Sequence, residues 1–146
     1  MSKISIVIPV KNESKNVSIL SKEIMKSCKS FNYEVLFIND GSNDDTIVKL
    51  NSLKKIDNKI RIIDHHVSLG QSAAIRSGVL KANNEIIITM DGDCQNDPSD
   101  IPLLLSKFES KKSQLLLIGG VRRKRMDNFS KRFGSKFARY VRKIIL

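Results

Sequence analysis

Short apolar runs alternate with segments of helical periodicity along most of this chain, and this alternation restricts the folds that it can adopt. The runs are almost continuously hydrophobic, which is typical of strands buried on both faces of a sheet. They cover residues 4–9, 33–39, 59–64, 85–90 and 114–118. Because helix-forming segments lie between them, the sequence predicts an α/β fold, with a mostly parallel sheet flanked by helices.

The predicted helices carry local signals of their own. The first has apolar residues at steps of three and four over residues 17–28. Before the second, Ser42 and Asp45 have the spacing of a capping box. The third is rich in small residues, which permit close packing on a sheet. The fourth is expected to begin after Asp97 as N-cap, with Pro98 at its first position.

Composition excludes several classes of protein. With 146 residues, 40% of them hydrophobic, the chain can bury one ordinary core, unlike disordered, collagen-like or disulfide-rich miniature proteins. No apolar run approaches the roughly 18 residues that span a bilayer, and the short N-terminal run is unlike a signal peptide. Cys28 and Cys94 form one pair at most, so we expect free thiols in a cytoplasmic protein.

Positive charge is concentrated in the last third of the chain. Residues 1–100 hold 13 Lys+Arg and 13 Asp+Glu, whereas residues 101–146 hold 13 Lys+Arg against Glu109 and Asp127. The net charge of +11 therefore belongs to the C-terminal part. A basic end on a neutral body indicates a polyanion, either nucleic acid, an anionic membrane or a phosphorylated ligand. A solvated basic tail is the alternative.

Acidic residues follow the fourth predicted strand. Ligands bind beyond the carboxyl ends of the strands in open α/β sheets, so this is a candidate site. In an extended segment, Asp91 and Asp93 would project to the same side, and Gly92 between them lets a ligand approach the backbone. Two carboxylates suit Mg²⁺ or Mn²⁺ with a substrate phosphate, and Gln95 could add a neutral oxygen. An ordinary turn or helix cap is the alternative.

Other strand ends offer weaker signals. The carboxylate of Asp40 could accept hydrogen bonds from a base or ribose, or could belong to a plain turn. No glycine-rich dinucleotide motif or Walker A loop follows any strand.

His65 and His66 would point apart in extended structure, which favours a strand-end role over a metal site. Cys94 has no base spaced to activate it as a nucleophile.

Basic and aromatic residues follow the last predicted strand. The Arg-Arg-Lys-Arg run at 122–125 could neutralise a diphosphate leaving group, because arginine binds phosphate through a bidentate fork. Phe129, Phe133, Phe137 and Tyr140 then recur at helical spacing among further basic residues. Such a helix suits an anionic membrane surface, or it packs its aromatic stripe on the core.

Four sequence motifs occur in an order that is shared with one known family. They are VIPVKNE at 7–13, INDGSNDDT at 38–46, Gly70 with Ala73, Ala74 and Gly78, and MDGDCQNDP at 90–98. In this order the motifs resemble those of the family 2 glycosyltransferases. Gln95, together with Gly120-Val121-Arg122 after the fifth run, resembles the polyprenyl-phosphate (dolichyl-phosphate mannose synthase-like) branch.

The resemblance implies a Rossmann-like nucleotide-diphospho-sugar transferase fold of the glycosyltransferase A type. It implies inverting, metal-assisted sugar transfer from a nucleotide-diphospho-sugar donor to a polyprenyl (dolichyl or undecaprenyl) phosphate acceptor, with Mg²⁺ or Mn²⁺ as the cofactor. The implied nucleotide-binding residues are Pro9, Glu13, Ile38, Asp40, Asp91 and Gly92. The implied metal ligands are Asp91, Asp93 and Gln95, the phosphate-binding residues are Arg122 and Lys131, and the catalytic residues are Asp91, Asp93 and Arg122.

The resemblance also divides the chain into a nucleotide-sugar-binding domain, residues 1–120, and a basic segment, residues 121–146, at the start of an acceptor or membrane-interface region. We expect a cytoplasmic protein that binds peripherally to the inner face of an anionic membrane and has no nucleic-acid partner. Family members are longer, so we expect a truncated chain, or one completed by a partner chain or an oligomer. The alternatives are a non-catalytic nucleotide-sugar-binding remnant and a basic nucleic-acid-binding module.

Three positions depart from the pattern of the family that the motifs resemble. Lys11 stands where an aromatic residue is usual. Asn39 stands in place of an acid that often precedes Asp40. Ser68 stands in place of the asparagine of an Asn-x-Gly segment.

Overall fold

The structure is a computed structural model that describes residues 2–110. Parallel strands and α-helices alternate over this range, as the sequence predicts. The strands are β1 (Lys3–Val10), β2 (Asn32–Asp40), β3 (Ile60–His65) and β4 (Ile86–Thr89). The helices are α1 (Val17–Ser27), α2 (Thr46–Ile56), α3 (Gln71–Lys81) and α4 (Ile101–Ser110), with one turn of 3-10 helix (Pro98–Asp100) before α4. The strand predicted at 114–118 lies outside the described residues.

The sheet has the order β3-β2-β1-β4, and every pair of neighbouring strands is parallel. The chain builds outward from β1 to β2 and β3, then crosses back through α3 to place β4 on the opposite side of β1. The strand order therefore reverses at β1. In open α/β sheets, such a reversal leaves a crevice beyond the carboxyl ends of the strands, where ligands bind.

Each face of the sheet has its own hydrophobic core. On one face, residues such as Ile6, Ile8 and Phe37 pack against α1, α2 and α4. On the other, Val7, Leu36 and Ile38 pack against Ala74 of α3. A Cβ atom at Gly78 of α3 would lie 2.4 Å from Cγ1 of Val7 and 2.8 Å from Cδ1 of Ile38. The small residues predicted for this helix thus let it lie directly on the sheet.

The capping box predicted for Ser42 and Asp45 is wrong. Asp45 occupies the N-cap position of α2 without a side-chain capping hydrogen bond, and Oδ1 of the preceding Asp44 accepts a 3.0 Å hydrogen bond from the Thr46 amide. The Ser42 hydroxyl accepts a 2.9 Å hydrogen bond from the Asn12 amide, and Asn12 Oδ1 accepts one of 2.9 Å from the Asn43 amide. The Ser42 hydroxyl, which the spacing assigned to the helix, therefore joins the loop after β2 to the loop after β1.

The predicted cap of the last helical segment is confirmed. Asp97 Oδ1 accepts a 2.9 Å hydrogen bond from the Ser99 amide, and Pro98 occupies the first helical position. Three residues separate Asp93 from the capping residue Asp97, and the capped turn leads into α4.

Candidate active site

A cavity of about 490 Å³ lies at the carboxyl ends of the strands, where the strand order reverses. Its walls come from the segment after β1, the end of β2, the loop between β3 and α3, and the segment after β4. The lining residues are Pro9, Val10, Lys11, Glu13, Asp40, Ser68, Gly70, Gln71, Asp91, Gly92 and Asp93. The structure thus brings together most of the site residues that the sequence predicts within the described range.

Two of the predicted site residues between positions 2 and 110 do not line this cavity. Ile38 is fully buried, and its side chain packs in the core between the sheet and α3, so it supports the wall from behind. The side chain of Gln95 is exposed, and its backbone amide donates a 3.0 Å hydrogen bond to Oδ1 of Asp93. Its role as a metal ligand stays a prediction.

The segment that carries Asp91 and Asp93 is a turn. After β4 ends, the Met90 amide donates a 3.2 Å hydrogen bond to the Val7 carbonyl, and the chain then turns at Gly92 and Asp93. The premise of an extended segment is therefore wrong. Both carboxylates nevertheless line the cavity, because the turn folds back against the end of β1.

Gly92 packs against the end of β1 without room for a side chain. A Cβ atom here would lie 2.6 Å from Cγ1 of Val10 and 3.2 Å from the carbonyl oxygen of Pro9. Pro9 can occupy this central strand because β4 pairs with β1 only as far as Val7. The backbone polar groups of residue 9 point to the β4 side of β1, as those of Val7 do. The pairing with β4 has ended at this point, so the missing N–H of proline costs no hydrogen bond between strands.

Gln71, which sequence reasoning missed, orients one of the two carboxylates. It is the first residue of α3, and its Nε2 donates a 2.8 Å hydrogen bond to Oδ1 of Asp91. No local pattern could reveal this contact, since the two residues are 20 positions apart and meet only through the crossover from β3 to β4. Partners of this kind fix the orientation of carboxylates that bind metal ions.

The pair of Asp91 and Asp93 fits a divalent cation that is shared with a ligand. Within residues 2–110 no group of three or more His, Cys, Asp or Glu side chains could hold a metal ion by itself. Mg²⁺ and similar hard cations are commonly held by one or two carboxylates, with phosphate and water oxygens completing the coordination. The donor set in this cavity is of that type.

Asp40 holds the loop that forms the opposite wall. Its carboxylate is 4% exposed and accepts hydrogen bonds from the Leu69 amide (2.8 Å), the Gly70 amide (2.9 Å) and the Ser68 hydroxyl (2.8 Å). The Nδ1 atom of His65 lies 3.1 Å from Oδ1 of the same carboxylate. Burial opposes ionisation, but these hydrogen bonds outweigh it and hold the pKa of Asp40 well below its usual range. The predicted contact of Asp40 with a base or ribose stays a prediction.

His65 has the strand-end role that the sequence favours. It is the last residue of β3, and its Nε2 lies 3.0 Å from the hydroxyl of Ser77 in α3. The imidazole therefore joins the end of β2 to α3 through Asp40 and Ser77.

Glu13, a predicted nucleotide-binding residue, and Asn39, a departure from the family pattern, both have hydrogen-bond partners within the protein. Glu13 Oε2 accepts a 2.6 Å hydrogen bond from Nδ2 of Asn16, just before α1. Asn39 is buried, and its Nδ2 donates a 2.7 Å hydrogen bond to Oδ1 of Asp64. A carboxylate at position 39 would lack this donor and would repel Asp64, so an amide suits the position.

Neither Cys28 nor Cys94 is among the residues that line the cavity. Burial raises the pKa of Cys28 to about 11, and burial, with the charge of Glu23 next, raises that of Cys94. Both are free thiols in this structure. Arg122, Lys131 and the aromatic residues at 129–140 lie outside the described residues.

The cavity, its carboxylate pair and the parallel sheet can be compared with known proteins. Residues 5–145 match the family model described as glycosyl transferase family 2. The chain belongs to this family. The resemblance inferred from the motifs is therefore confirmed.

Two curated relatives are similar over almost the whole chain. One is an undecaprenyl-phosphate 4-deoxy-4-formamido-L-arabinose transferase of Proteus mirabilis, 34% identical over 93% of this chain and 42% of its own length. The other is a dodecaprenyl-phosphate galacturonate synthase of Rhizobium johnstonii, 35% identical over 94% of this chain and 41% of its own length. The chain thus spans about two fifths of these relatives, and its likeness to the polyprenyl-phosphate branch is confirmed.

A solved structure confirms the fold class. Glucosyl-3-phosphoglycerate synthase from Mycobacterium tuberculosis, in complex with Mn²⁺, UDP and glucosyl-3-phosphoglycerate, superposes with a TM-score of 0.60. It is 20% identical, and the match covers 73% of this chain and 39% of that one. The predicted glycosyltransferase A-type fold is the fold of this chain. Over residues 2–110, no helix has the length and apolar character needed to cross a membrane.

Proposed function

We propose that this chain is the donor-binding part of an inverting glycosyltransferase that moves a sugar from a nucleotide-diphospho-sugar to a polyprenyl phosphate. The observation that carries the proposal is the carboxylate pair of Asp91 and Asp93 in the cavity at the strand reversal. The two curated relatives, whose names place their reactions on polyprenyl phosphates, support the choice of acceptor.

The carboxylates of Asp91 and Asp93 would hold Mg²⁺ or Mn²⁺ against the diphosphate of the donor. When bound, such a cation supplies positive charge that stabilises the departing nucleoside diphosphate. Gln71 keeps Asp91 turned towards the cavity, and Gly92 keeps the turn close to β1. Arg122, and Lys131 after it, would add positive charge to the phosphate groups.

The acceptor explains why the site needs no catalytic histidine. A phosphate monoester is already ionised near neutral pH, since its second pKa is about 6. Its oxygen can therefore attack the sugar carbon without a general base, from the face opposite the leaving diphosphate, which inverts the configuration. The chain's own residues then have only to bind, orient and neutralise charge.

The nucleoside would lie against the segment after β1, with Pro9 and Glu13 at one side and the loop held by Asp40 at the other. Residues 1–120 form the donor domain in this proposal. The basic segment 121–146 would supply positive charge for the lipid phosphate and for the anionic inner surface of the cytoplasmic membrane.

The test is calorimetric titration of the 146-residue chain with UDP and GDP, in the presence of Mn²⁺ and in its absence. We expect Mn²⁺-dependent binding of at least one nucleotide, and its loss in Asp91→Asn and Asp93→Asn. Asp100→Asn removes an exposed carboxylate outside the cavity and should bind as the parent does. Nucleotide binding that is unchanged in both cavity variants would overturn the site.

The same chain, supplied with a nucleotide sugar and a short polyprenyl phosphate, tests transfer separately. Formation of a lipid-linked sugar would support the full proposal. Binding without transfer would instead favour a donor-binding domain. Catalysis would then require sequence of the kind that the relatives have outside the matched region.

A further inference from the structure

Lys11 contributes a positive charge to the cavity wall. Among the described residues that line the cavity, it alone carries a positive charge, beside the carboxylates of Glu13, Asp40, Asp91 and Asp93. Its side chain is exposed, so it can move to meet a ligand. The proposed function leaves this residue without a role.

The ammonium group of Lys11 is linked to the end of β2 through one hydroxyl group. Its Nζ donates a 3.0 Å hydrogen bond to the hydroxyl of Ser68, which in turn donates one of 2.8 Å to Oδ2 of Asp40. Asp40 ends β2, whereas Asp91 and Asp93 follow β4, on the opposite side of β1. In the proposed donor site, the hydrogen bonds of Lys11 therefore run through Ser68 to Asp40, on the wall proposed for the nucleoside.

A lysine in this position favours a ligand group that accepts a hydrogen bond over one that donates it. The ammonium group has three N–H donors and no acceptor. Uracil and guanine present a keto oxygen on their pairing edge, while cytosine and adenine present an amino group at the corresponding position. The present partner of the ammonium group is the neutral hydroxyl of Ser68. A keto oxygen can take the place of this hydroxyl, because no buried charge would then lose its partner.

We propose that Lys11 is a specificity-determining residue of the donor site, which donates a hydrogen bond to the keto oxygen of a uracil or guanine base and so selects against cytosine and adenine. The inference rests on the proposed function, since it requires a nucleoside diphosphate in this cavity. Lys11 and Ser68, both departures from the family pattern, contact each other at this point.

The experiment is calorimetric titration of the full 146-residue chain with UDP, GDP, CDP and ADP in the presence of Mn²⁺. Lys11→Met keeps the length of the side chain and removes its charge. Lys15→Met is the matched control, because Lys15 is an exposed lysine four residues on that does not line the cavity. Circular dichroism on each variant checks that the fold is retained.

We expect the parent chain to bind UDP or GDP at least about tenfold more tightly than CDP and ADP, the scale of one charge-assisted hydrogen bond. Lys11→Met should lose about that factor for the keto base and leave CDP and ADP unchanged. Lys15→Met should retain the preference of the parent, and Lys11→Arg should retain most of it.

Several results would overturn the inference while the proposed function stands. One is an equal loss of affinity for all four nucleotides in Lys11→Met, which would place the ammonium group on the phosphates. Another is a base preference that Lys11→Met does not change. If the parent chain bound none of the four nucleotides, the proposed function and the inference would fall together.

Discussion

The side-chain amide of Gln71 donates a 2.8 Å hydrogen bond to Oδ1 of Asp91. Gln71 begins α3, directly after Gly70, whose amide is held by Asp40 at the end of β2. A continuous series of contacts therefore runs from Asp40 through the start of α3 to Asp91. The wall proposed for the nucleoside and the carboxylate proposed for the metal ion are positioned by the same helix.

Replacing Gln71 with leucine should weaken metal-dependent nucleotide binding. Without the amide, Asp91 loses the donor that fixes its orientation, and losses of this type lower metal affinity about 10- to 100-fold. Electron paramagnetic resonance titration of Mn²⁺ with UDP or GDP present measures the affinity directly. Ser72→Ala, at the next, exposed position of α3, should leave it unchanged. Equal affinity in Gln71→Leu and the parent would show that the hydrogen bond has no positioning role.

Gly92→Ala should destabilise the fold as well as the site. The new methyl group would lie 2.6 Å from Cγ1 of Val10, a core residue that is 2% exposed. Overpacking of this kind costs about 1–3 kcal/mol, which urea unfolding can measure. In the double variant Val10→Ala with Gly92→Ala, the clash is relieved, so its loss of stability should be smaller than the sum of the two single losses. Simple additivity would argue against the contact.

Gly78→Ala tests how closely α3 lies on the sheet. In an exposed helix this change stabilises by about 1 kcal/mol, because alanine has the higher helix propensity. Here the methyl group would lie 2.4 Å from Cγ1 of Val7, so we expect the variant to unfold at a lower urea concentration than the parent. Ser72→Ala, on the exposed side of α3, supplies the comparison. A stabilised Gly78→Ala variant would mean that α3 can move away from the sheet freely.

Because of Asp40, the free energy of unfolding should decrease as the pH falls into the acidic range. Its pKa in the folded protein lies below its usual value because four protein groups donate hydrogen bonds to the carboxylate, against the cost of burial. Its stabilisation is therefore fully present above the unfolded-state pKa of about 3.9, and is lost as the pH falls from there towards the folded value.

Asp40→Asn removes this contribution. The amide group cannot accept all four bonds, and an unsatisfied buried donor costs about 1–3 kcal/mol. We expect the free energies of unfolding of Asp40→Asn and the parent to differ at neutral pH and to converge as the pH falls below about 4. Denaturant unfolding between neutral and acidic pH gives both curves. A difference that is independent of pH would assign the loss to packing instead.

The alternation of strands and helices could be predicted because its signals are local. The near-continuous hydrophobic runs mark β1 to β4, and the Asp97–Pro98 pair marks its helical turn within a few residues. The capping box failed because Asn12, distant in sequence, takes the Ser42 hydroxyl that the spacing assigned to α2.

The contacts that shape the candidate site depend on topology, which no local pattern reports. Asp40 was identified from its place after a strand, but its partners Leu69 and Gly70 come from another loop. Gln71 meets Asp91 only because the crossover returns β4 to the side of β1. The residue types at the strand ends were thus predictable, and their hydrogen-bond partners were not.

The cavity depends on the pairing of the short strand β4 with β1. Strand β4 pairs with β1 over four residues, from Ile4↔Ile86 to Val7↔Thr89, across a sequence separation of more than 80 residues. The carboxylate wall requires this pairing, because Asp91 and Asp93 follow β4 within a few residues. A brief local opening of β4 would remove Asp91 and Asp93 from the cavity while the other three strands stay folded. Amide hydrogen exchange in β4 should therefore report on donor binding more sensitively than exchange in β2.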